Sequence, residues 1–124
     1  MVTVLLDTNM LLVPHLNKVD IFAEINRLVP ERHEVVVPDN VLHELGEAAW
    51  IGEDRVAANV GIKLLEKNGI RRLSSQGYVD DFLVEYADQY EAIVATNDKE
   101  LKRRLRDAGA QIITLKGKKA LQRI

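Results

Sequence analysis

The stretch Val-Thr-Val-Leu-Leu-Asp-Thr-Asn at residues 2–9 places an aspartate directly after a short apolar run. Runs of this length that are rich in β-branched residues are typical of a buried strand, so residues 2–6 are predicted to form a strand that ends at Asp7. The stretch Ala-Ile-Val-Ala-Thr-Asn-Asp at residues 92–98 repeats this arrangement and places Asp98 after a second buried strand. We therefore expect carboxylates at the ends of two strands.

Strands and helices alternate along the rest of the chain. Apolar residues at helical spacing predict the helices, and short apolar runs predict the strands. The alternation is typical of βαβ units, so we predict a three-layer α/β/α fold with a central, mostly parallel sheet of four to five strands. The predicted strands are 2–6, 34–37, 70–73, 92–96 and 111–115, and the predicted helices are 21–28, 38–50, 53–67, 80–89 and 98–108.

Local signals predict several helix ends. Asp20 is expected to cap the helix over 21–28, and Asn68-Gly69 is expected to end the helix over 53–67. Pro38 is expected in the first turn of its helix, with an inward face made of Val41, Leu42, Leu45 and Ala49. The folded domain is predicted over 1–115, followed by a short basic C-terminal segment over 116–124.

The composition excludes several classes of protein. Hydrophobic residues make up 47% and charged residues 29% of the 124 residues, a balance typical of globular proteins. No apolar run is long enough to span a bilayer, and the first residues lack the basic region of a secretory signal, so we expect a cytoplasmic protein without a membrane partner. Cysteine is absent, which excludes disulfides, thiolate zinc sites and a cysteine nucleophile.

The charges are distributed unevenly. The formal net charge is only -2, yet residues 99–124 carry nine Lys or Arg against two acids, while residues 1–98 carry a net -9. A basic surface next to an acidic site suits a phosphate backbone. In the helix predicted over 98–108, one face carries four basic residues, which we predict to bind a phosphate backbone: Lys99, Lys102, Arg103 and Arg106.

Other acids are expected at the same edge of the sheet as Asp7 and Asp98. Glu44 borders the apolar stripe of the helix after the second strand, and Asp80 and Asp81 begin the helix before the fourth strand. Taken singly, Asp80 and Asp98 are ordinary helix N-caps. Ligands of open parallel sheets bind beyond the carboxyl ends of the strands, so together these acids indicate a site there.

The chemistry of such a cluster is restrictive. Neighbouring carboxylates repel each other and burial raises their pKa values, so the cluster is stabilised when a cation binds it. Ligands that are all oxygen favour Mg²⁺, Mn²⁺ or Ca²⁺. Such an ion can activate water and stabilise an in-line displacement at phosphorus. The acids therefore indicate a metal-dependent nuclease.

Over roughly residues 2–115, the pattern resembles the PIN-domain nucleases. The resemblance rests on Asp7-Thr8-Asn9, on Glu44 after a Val-Val-Val-Pro strand, on Asp80 with Leu83 and Ala87, and on Thr96-Asn97-Asp98. It implies a Mg²⁺ or Mn²⁺ site that cleaves RNA. The catalytic, metal-binding acids would then be Asp7, Glu44, Asp80 and Asp98, with Asp81 as a second choice for Asp80, and the residues that orient them would be Thr8, Asn9, Thr96 and Asn97.

Two branches of that family fit the chain. VapC-type toxins have this length and pair with a small antitoxin, for which the helices around residues 42–65 would form the groove. PIN proteins of ribosomal RNA processing resemble this chain at residues 78–81 and 93–104. Both branches imply the same site and an RNA substrate, and homodimerisation is a further implication of the resemblance.

The sequence also bears on functions of other classes. A non-catalytic PIN-like module that binds RNA or protein remains the alternative. A phospho-receiver domain would need an acidic pair after the first strand, where only Asp7 stands, and a lysine after the fifth strand near the site. Lys116 occupies that region but is followed by glycine and more lysines. A zinc protease helix is excluded because His43-Glu44 lacks the second histidine.

Overall fold

The structure, a computed structural model, describes residues 1–47 and 49–124. A 3₁₀ turn over Asn9–Leu12 follows the first strand. The strands are β1 (Val2–Leu6), β2 (His33–Pro38), β3 (Arg71–Leu73), β4 (Ala92–Ala95), β5 (Gln111–Lys116) and β6 (Ala120–Arg123). The helices are α1 (Val13–Asn17), α2 (Ile21–Leu28), α3 (Asp39–Glu47), α4 (Gly52–Lys67), α5 (Val79–Gln89) and α6 (Lys99–Asp107).

All six strands form one sheet in the order β3-β2-β1-β4-β5-β6. The first five strands are parallel, and β6 runs antiparallel to β5. The carboxyl ends of the five parallel strands therefore share one edge. The strand order reverses on either side of β1, so the residues after β1 and β4 lie at the switch point, where ligands of open α/β sheets bind.

Helices cover both faces of the sheet. The crossovers from β1 to β2 to β3 move in one direction and those from β3 to β4 to β5 move in the other, so right-handed connections put their helices on opposite faces. Because both faces are covered, β1 is a continuous apolar run, and Val4, Leu5 and Leu6 are fully buried. The predicted three-layer α/β/α fold is confirmed.

Helix α4 touches the turn after β1 without an intervening side chain. Gly61 is buried in α4, and a Cβ atom at this position would collide with the backbone oxygen of Leu11 in the 3₁₀ turn. Only glycine allows two backbones to approach this closely. The packing of α4 therefore positions the segment that directly follows Asp7.

Several helix ends fall where the sequence predicts them. The predicted bounds of α2 are confirmed, and its cap Asp20 accepts a hydrogen bond from the amide of Ala23 at 3.1 Å. Helix α4 ends at Lys67, after which Gly69 adopts a φ of +60°. This left-handed residue reverses the chain into β3.

The prediction for α3 was wrong at both of its ends. Pro38 closes β2 opposite Leu73 instead of starting the helix. The pairing of β2 with β1 ends at Val36, so the missing amide of Pro38 costs no hydrogen bond to β1. The helix ends at Glu47 and Ala49 is exposed, not inward-facing. Trp50 is half-buried, and its indole nitrogen donates to the carbonyl of Leu45 at 2.9 Å. Ala48, inside the predicted helix, lies outside the described residues.

The sheet has six strands rather than four to five because the basic segment over 116–124 contains β6. Leu121 of β6 is buried, and its amide donates to Glu24 Oε1 of α2 at 3.0 Å. Arg123 pairs with Glu31 at 2.7 Å. With one buried apolar residue in four, β6 lacks the apolar alternation that predicts a strand.

Within the described residues, no helix combines the length and the apolar character needed to cross a membrane.

Candidate active site

Asp7 lies directly after β1, and both of its carboxylate oxygens are held. Its side chain is buried, at 4% exposure. Oδ1 accepts a hydrogen bond from the amide of Thr8 at 2.8 Å, and Oδ2 accepts one from the hydroxyl of Thr96 at 2.6 Å. Since Thr96 follows β4, this contact joins the ends of the two central strands.

The charge of Asp7 depends on its neighbours. Burial raises the pKa of Asp7 to about 6, against the opposing effect of the hydrogen bonds from Thr96 and Thr8. The negative charges of Asp80 and Glu44 contribute to this rise as smaller effects. Three acids from β1, α3 and α5 therefore act on one another electrostatically, as their predicted position at one edge requires.

Thr96 also connects Asp7 to Asp98. The hydroxyl oxygen of Thr96 accepts a hydrogen bond from the amide of Asp98 at 3.1 Å. Asp98 Oδ1 in turn accepts from the amide of Leu101 at 2.8 Å and caps α6. Asp98 is thus an ordinary N-cap and also an exposed acid of the edge, so the two readings of this residue are compatible.

Two asparagines tie the ends of the central strands together. Asn9 Oδ1 accepts a hydrogen bond from the amide of Asn97 at 3.0 Å. Asn97 Oδ1 accepts from the amide of Leu115 at 3.0 Å and from the hydroxyl of Thr114 at 3.1 Å. These contacts hold the segments after β1 and β4 against β5, so both asparagines act on the scaffold of the site rather than on a carboxylate directly.

Thr8 contributes through its backbone. Its amide donates to Asp7, whereas its own hydroxyl is buried and has no hydrogen-bond partner among the described residues. A buried hydroxyl without a partner is unfavourable. It leaves an oxygen beside Asp7 available to a ligand or a water.

The two adjacent aspartates of α5 have different surroundings. Asp80 is half-buried, and burial followed by the charge of Asp98 raises its pKa, with smaller effects of Glu44 and Asp81 in the same direction. Asp81 pairs with Arg104 of α6, whose Nη2 lies 2.8 Å from Asp81 Oδ1. Asp80 therefore faces the other acids, and Asp81 is engaged elsewhere.

Sequence reasoning missed Arg104. Its positive charge lowers the pKa of Asp80, against the effect of the surrounding acids. Arg104 lies beside Leu101 and Leu105, the buried stripe of α6, and not on the exposed basic face. The signal that could have identified it is this position next to the stripe, because residues there reach the neighbouring helix α5.

Glu44 is exposed on α3 and acts on Asp7 and Asp80 through its charge. Among residues 1–47 and 49–124, no three His, Asp or Glu side chains are close enough together to hold a metal ion. The acids therefore share one edge and one electrostatic field without forming a closed ligand shell. Their donor atoms still fit a hard divalent cation, because they are all oxygens, they repel one another, and the hydroxyl of Thr8, the residue after Asp7, has no partner among the described residues.

A hydrogen-bonded link connects α3 to the loop before α5. The amide of Asn40 donates to the hydroxyl of Ser75 at 2.9 Å, and this hydroxyl donates back to Asn40 Oδ1 at 2.8 Å. Asn40 also donates to the carbonyl of Gly77 at 3.2 Å. This link lines a cavity of about 770 Å³ beside α3, whose wall does not include Asp7, Asp80 or Asp98. The link positions Glu44 relative to Asp80.

The predicted basic face of α6 is divided in the structure. Arg103 forms ion pairs with Glu100 and Asp107 of its own helix. Lys102 is half-buried, with Nζ 3.4 Å from the hydroxyl of Thr114, while Lys99 and Arg106 are exposed. The candidates Lys99, Lys102 and Arg106 are therefore less engaged by acids than Arg103.

A family model described as a PIN like domain matches residues 4–118, which include every acid of the site. The chain belongs to the PIN-like domain family. This confirms the resemblance read from the sequence.

Two relatives of this PIN-like chain are ribonucleases by name. It is 34% identical over 110 residues to Ribonuclease VapC9 of Archaeoglobus fulgidus, a match that covers 89% of this chain and 80% of VapC9. It is 28% identical over 118 residues to Ribonuclease VapC4 of Methanocaldococcus jannaschii, covering 91% and 89% of the two chains. The structure of the PIN domain endonuclease Utp24 is similar, with a TM-score of 0.78 and 25% identity over 98% of this chain and 90% of that one.

Proposed function

We propose that this PIN-like protein is a Mg²⁺- or Mn²⁺-dependent endoribonuclease that hydrolyses RNA phosphodiester bonds. The observation that carries the proposal is Asp7, a buried carboxylate at the switch point whose pKa is raised by burial and by two further acids. Relatives that cover most of the chain and are named ribonucleases support it.

Four acids would hold the divalent ion. Asp7, Glu44, Asp80 and Asp98 act on one another through their charges, whereas Asp81 is paired with Arg104 and is less suited to the task. When bound, the ion supplies positive charge to the phosphodiester and lowers the pKa of a water that it binds.

The chain's own residues prepare this site. Thr96 keeps the carboxylate of Asp7 in one orientation, and Arg104 forms an ion pair with Asp81. Lys99 and Lys102, which follow Asp98 in α6, are placed to hold RNA phosphates. Above pH 6, Asp7 is mostly ionised and ready for a cation, because its pKa is about 6.

An RNA cleavage assay tests the proposal. We expect the wild type to cut an end-labelled RNA with Mg²⁺ or Mn²⁺ and not with EDTA, and we expect Asp7→Asn to be inactive. Asp88→Asn, which removes an exposed charge at the other end of α5, serves as the matched control and should stay active. Cleavage in EDTA, or cleavage that survives Asp7→Asn, contradicts the mechanism. RNA binding without cleavage by the wild type supports the non-catalytic module instead.

For the biological role, we propose a VapC-type toxin that a small antitoxin protein inhibits. The similarity to VapC9 and VapC4 over most of the chain favours this branch. Expression of the wild type should arrest growth, Asp7→Asn should not, and the product of a short neighbouring reading frame should bind the protein and restore growth. The resemblance of residues 78–81 and 93–104 to PIN proteins of ribosomal RNA processing favours that role as the second candidate. This second role would be supported if uncut ribosomal RNA precursor accumulates in cells that carry Asp7→Asn and if expression of the wild type does not arrest growth.

Light scattering would test the homodimer that the resemblance implies.

A further inference from the structure

The turn between β5 and β6 carries three lysines. Lys116 ends β5, Gly117 adopts a φ of +63°, and Lys118 and Lys119 complete the turn before Ala120. Because β5 is parallel to β4, this turn lies at the edge of the sheet where the acids lie. We call Lys116, Lys118 and Lys119 the turn lysines.

A series of contacts leads from the acids to the turn lysines. Asn97, the neighbour of Asp98, accepts hydrogen bonds from the amide of Leu115 and from the hydroxyl of Thr114. Lys102 reaches the same hydroxyl from α6, at 3.4 Å. Lys116 follows Leu115 directly. Thr114 and Leu115 of β5, which are bonded to Asn97, therefore lie between Lys102 and the turn.

The turn is held in place by α1. The side-chain amide of Asn17 donates to the carbonyl of Lys118 at 3.2 Å, and the ammonium of Lys119 donates to the carbonyl of Asn17 at 3.2 Å. Lys18, which follows Asn17, is exposed and adds another positive charge beside the turn. The turn lysines are therefore presented by a fixed backbone.

These lysines are exposed and are not neutralised by acids. In the part of the chain that the structure describes, the ion pairs are made by arginines and histidines, and no lysine takes part in one. Lysines along an edge strand can serve to prevent strand pairing, but these three lie in and before the turn, not along β6. A cluster of positive charges next to the proposed nuclease site is complementary to a polyanion.

We propose that Lys116, Lys118, Lys119 and Lys102 form a phosphate-binding track that guides a single RNA strand from the acids across the β5–β6 turn. The inference rests on the proposed function only for the identity of the polyanion. The turn lysines contact the strand away from the scissile phosphate, so they contribute to RNA affinity and not to bond cleavage.

A triple variant tests the track. In Lys116→Gln/Lys118→Gln/Lys119→Gln, we expect about a tenfold weaker affinity at low salt for a fluorescein-labelled single-stranded RNA, measured by anisotropy in EDTA so that no cleavage occurs. The slope of log affinity against log salt should become shallower by about 2, since each phosphate contact contributes about 0.7 for single strands.

Two matched variants control for charge and folding. Lys63→Gln/Lys67→Gln removes exposed lysines from α4, whose C-terminal end leads into β3 at the opposite edge of the sheet, and should bind RNA like the wild type. The triple Lys→Arg variant of the turn should keep the affinity. An unchanged affinity and slope in the triple Gln variant, an equal loss in the α4 variant, or a wild type that does not bind RNA overturns the track.

Cleavage kinetics separate this inference from the proposed function. With Mg²⁺ or Mn²⁺, the triple Gln variant should show a KM raised about tenfold and an unchanged kcat. If the wild type binds RNA through the turn lysines but does not cleave it, the track stands and the nuclease proposal falls. If the wild type cleaves RNA and the triple Gln variant has an unchanged KM, the track falls and the nuclease proposal stands.

Discussion

The site is built from two halves that are held differently. In the strand half, Asp7 and Asp98 are joined through the hydroxyl of Thr96 and are fixed by backbone amides. In the helix half, Glu44 and Asp80 act on the others mainly through charge. The carboxylates of the strand half are therefore preorganised. In the helix half, the Asn40 link holds the backbone, but among the described residues no side-chain hydrogen bond fixes the carboxylates of Glu44 and Asp80, so these two can reorient when a cation or a substrate binds.

The largest expected effect compares the two halves by activity. Asp7→Asn should lower kcat for RNA cleavage by about a thousandfold, since it removes a fixed charge from a site that acts by electrostatic preorganisation. Glu44→Gln, in the helix half, should lower kcat by only about tenfold, because neighbouring oxygens can compensate for the lost carboxylate. Equal losses in the two variants would contradict the division into halves.

The pH dependence of stability should report the buried acid. Well below pH 3.8, Asp7 is protonated in both states; as the pH rises from 3.8 to about 6, the unfolded chain releases this proton first, so the free energy of unfolding falls. A rise in pKa from 3.8 to about 6 corresponds to about 3 kcal/mol. Asp7→Asn should flatten this fall in urea titrations without divalent ions, and a slope that persists in the variant would argue against the buried charge.

Thr96→Val tests the link inside the strand half. It leaves one oxygen of Asp7 buried without a donor and the amide of Asp98 without an acceptor, so we expect a loss of about 2 kcal/mol in unfolding free energy. Thr3→Val on β1 makes the same replacement of a hydroxyl by a methyl group and should change the unfolding free energy by less than about 0.5 kcal/mol. A similar loss in both variants would show that the Thr96 hydroxyl has no special role.

The smallest effect compares two neighbouring residues of the helix half. In EDTA at neutral pH, Asp80→Asn should raise the melting temperature because it relieves repulsion from Asp98 and Glu44. Asp81→Asn should lower stability by about 0.5 kcal/mol, since it removes a surface ion pair with Arg104. Mn²⁺ should stabilise the wild type more than Asp80→Asn. Shifts in the same direction for both variants would mean that the two carboxylates share one environment.

The two halves were also unequally predictable from the sequence. Asp7 follows its apolar run directly and Asp98 follows another after two residues, so topology alone places them at one edge, and the structure places both there. Asp80 and Asp81 both begin a helix, and no spacing rule shows that Arg104 forms its ion pair with the second. That contact depends on how α5 and α6 pack. The resemblance favoured Asp80, and the metal-binding role of each acid stays a prediction.

The basic surface shows the same limit. Helical spacing grouped Arg103 with Lys99, Lys102 and Arg106, but spacing does not show that Glu100 and Asp107 of the same helix neutralise Arg103. β6 was missed because its pairing with β5 and its contacts to α2 decide its structure, and these are long-range interactions. Local patterns therefore located the edge of the site, and tertiary contacts decided which charges remain available there.

The close approach of Gly61 to Leu11 has a consequence for mutational screens. A methyl group at 61 would displace the 3₁₀ turn, and with it Asn9, which is bonded to Asn97. Gly61→Ala would thus disturb the geometry around Asp7 from the far side of the turn, through backbone alone. A screen for inactive clones would select position 61 beside the proposed metal ligands, although its glycine has no side chain with which to bind anything.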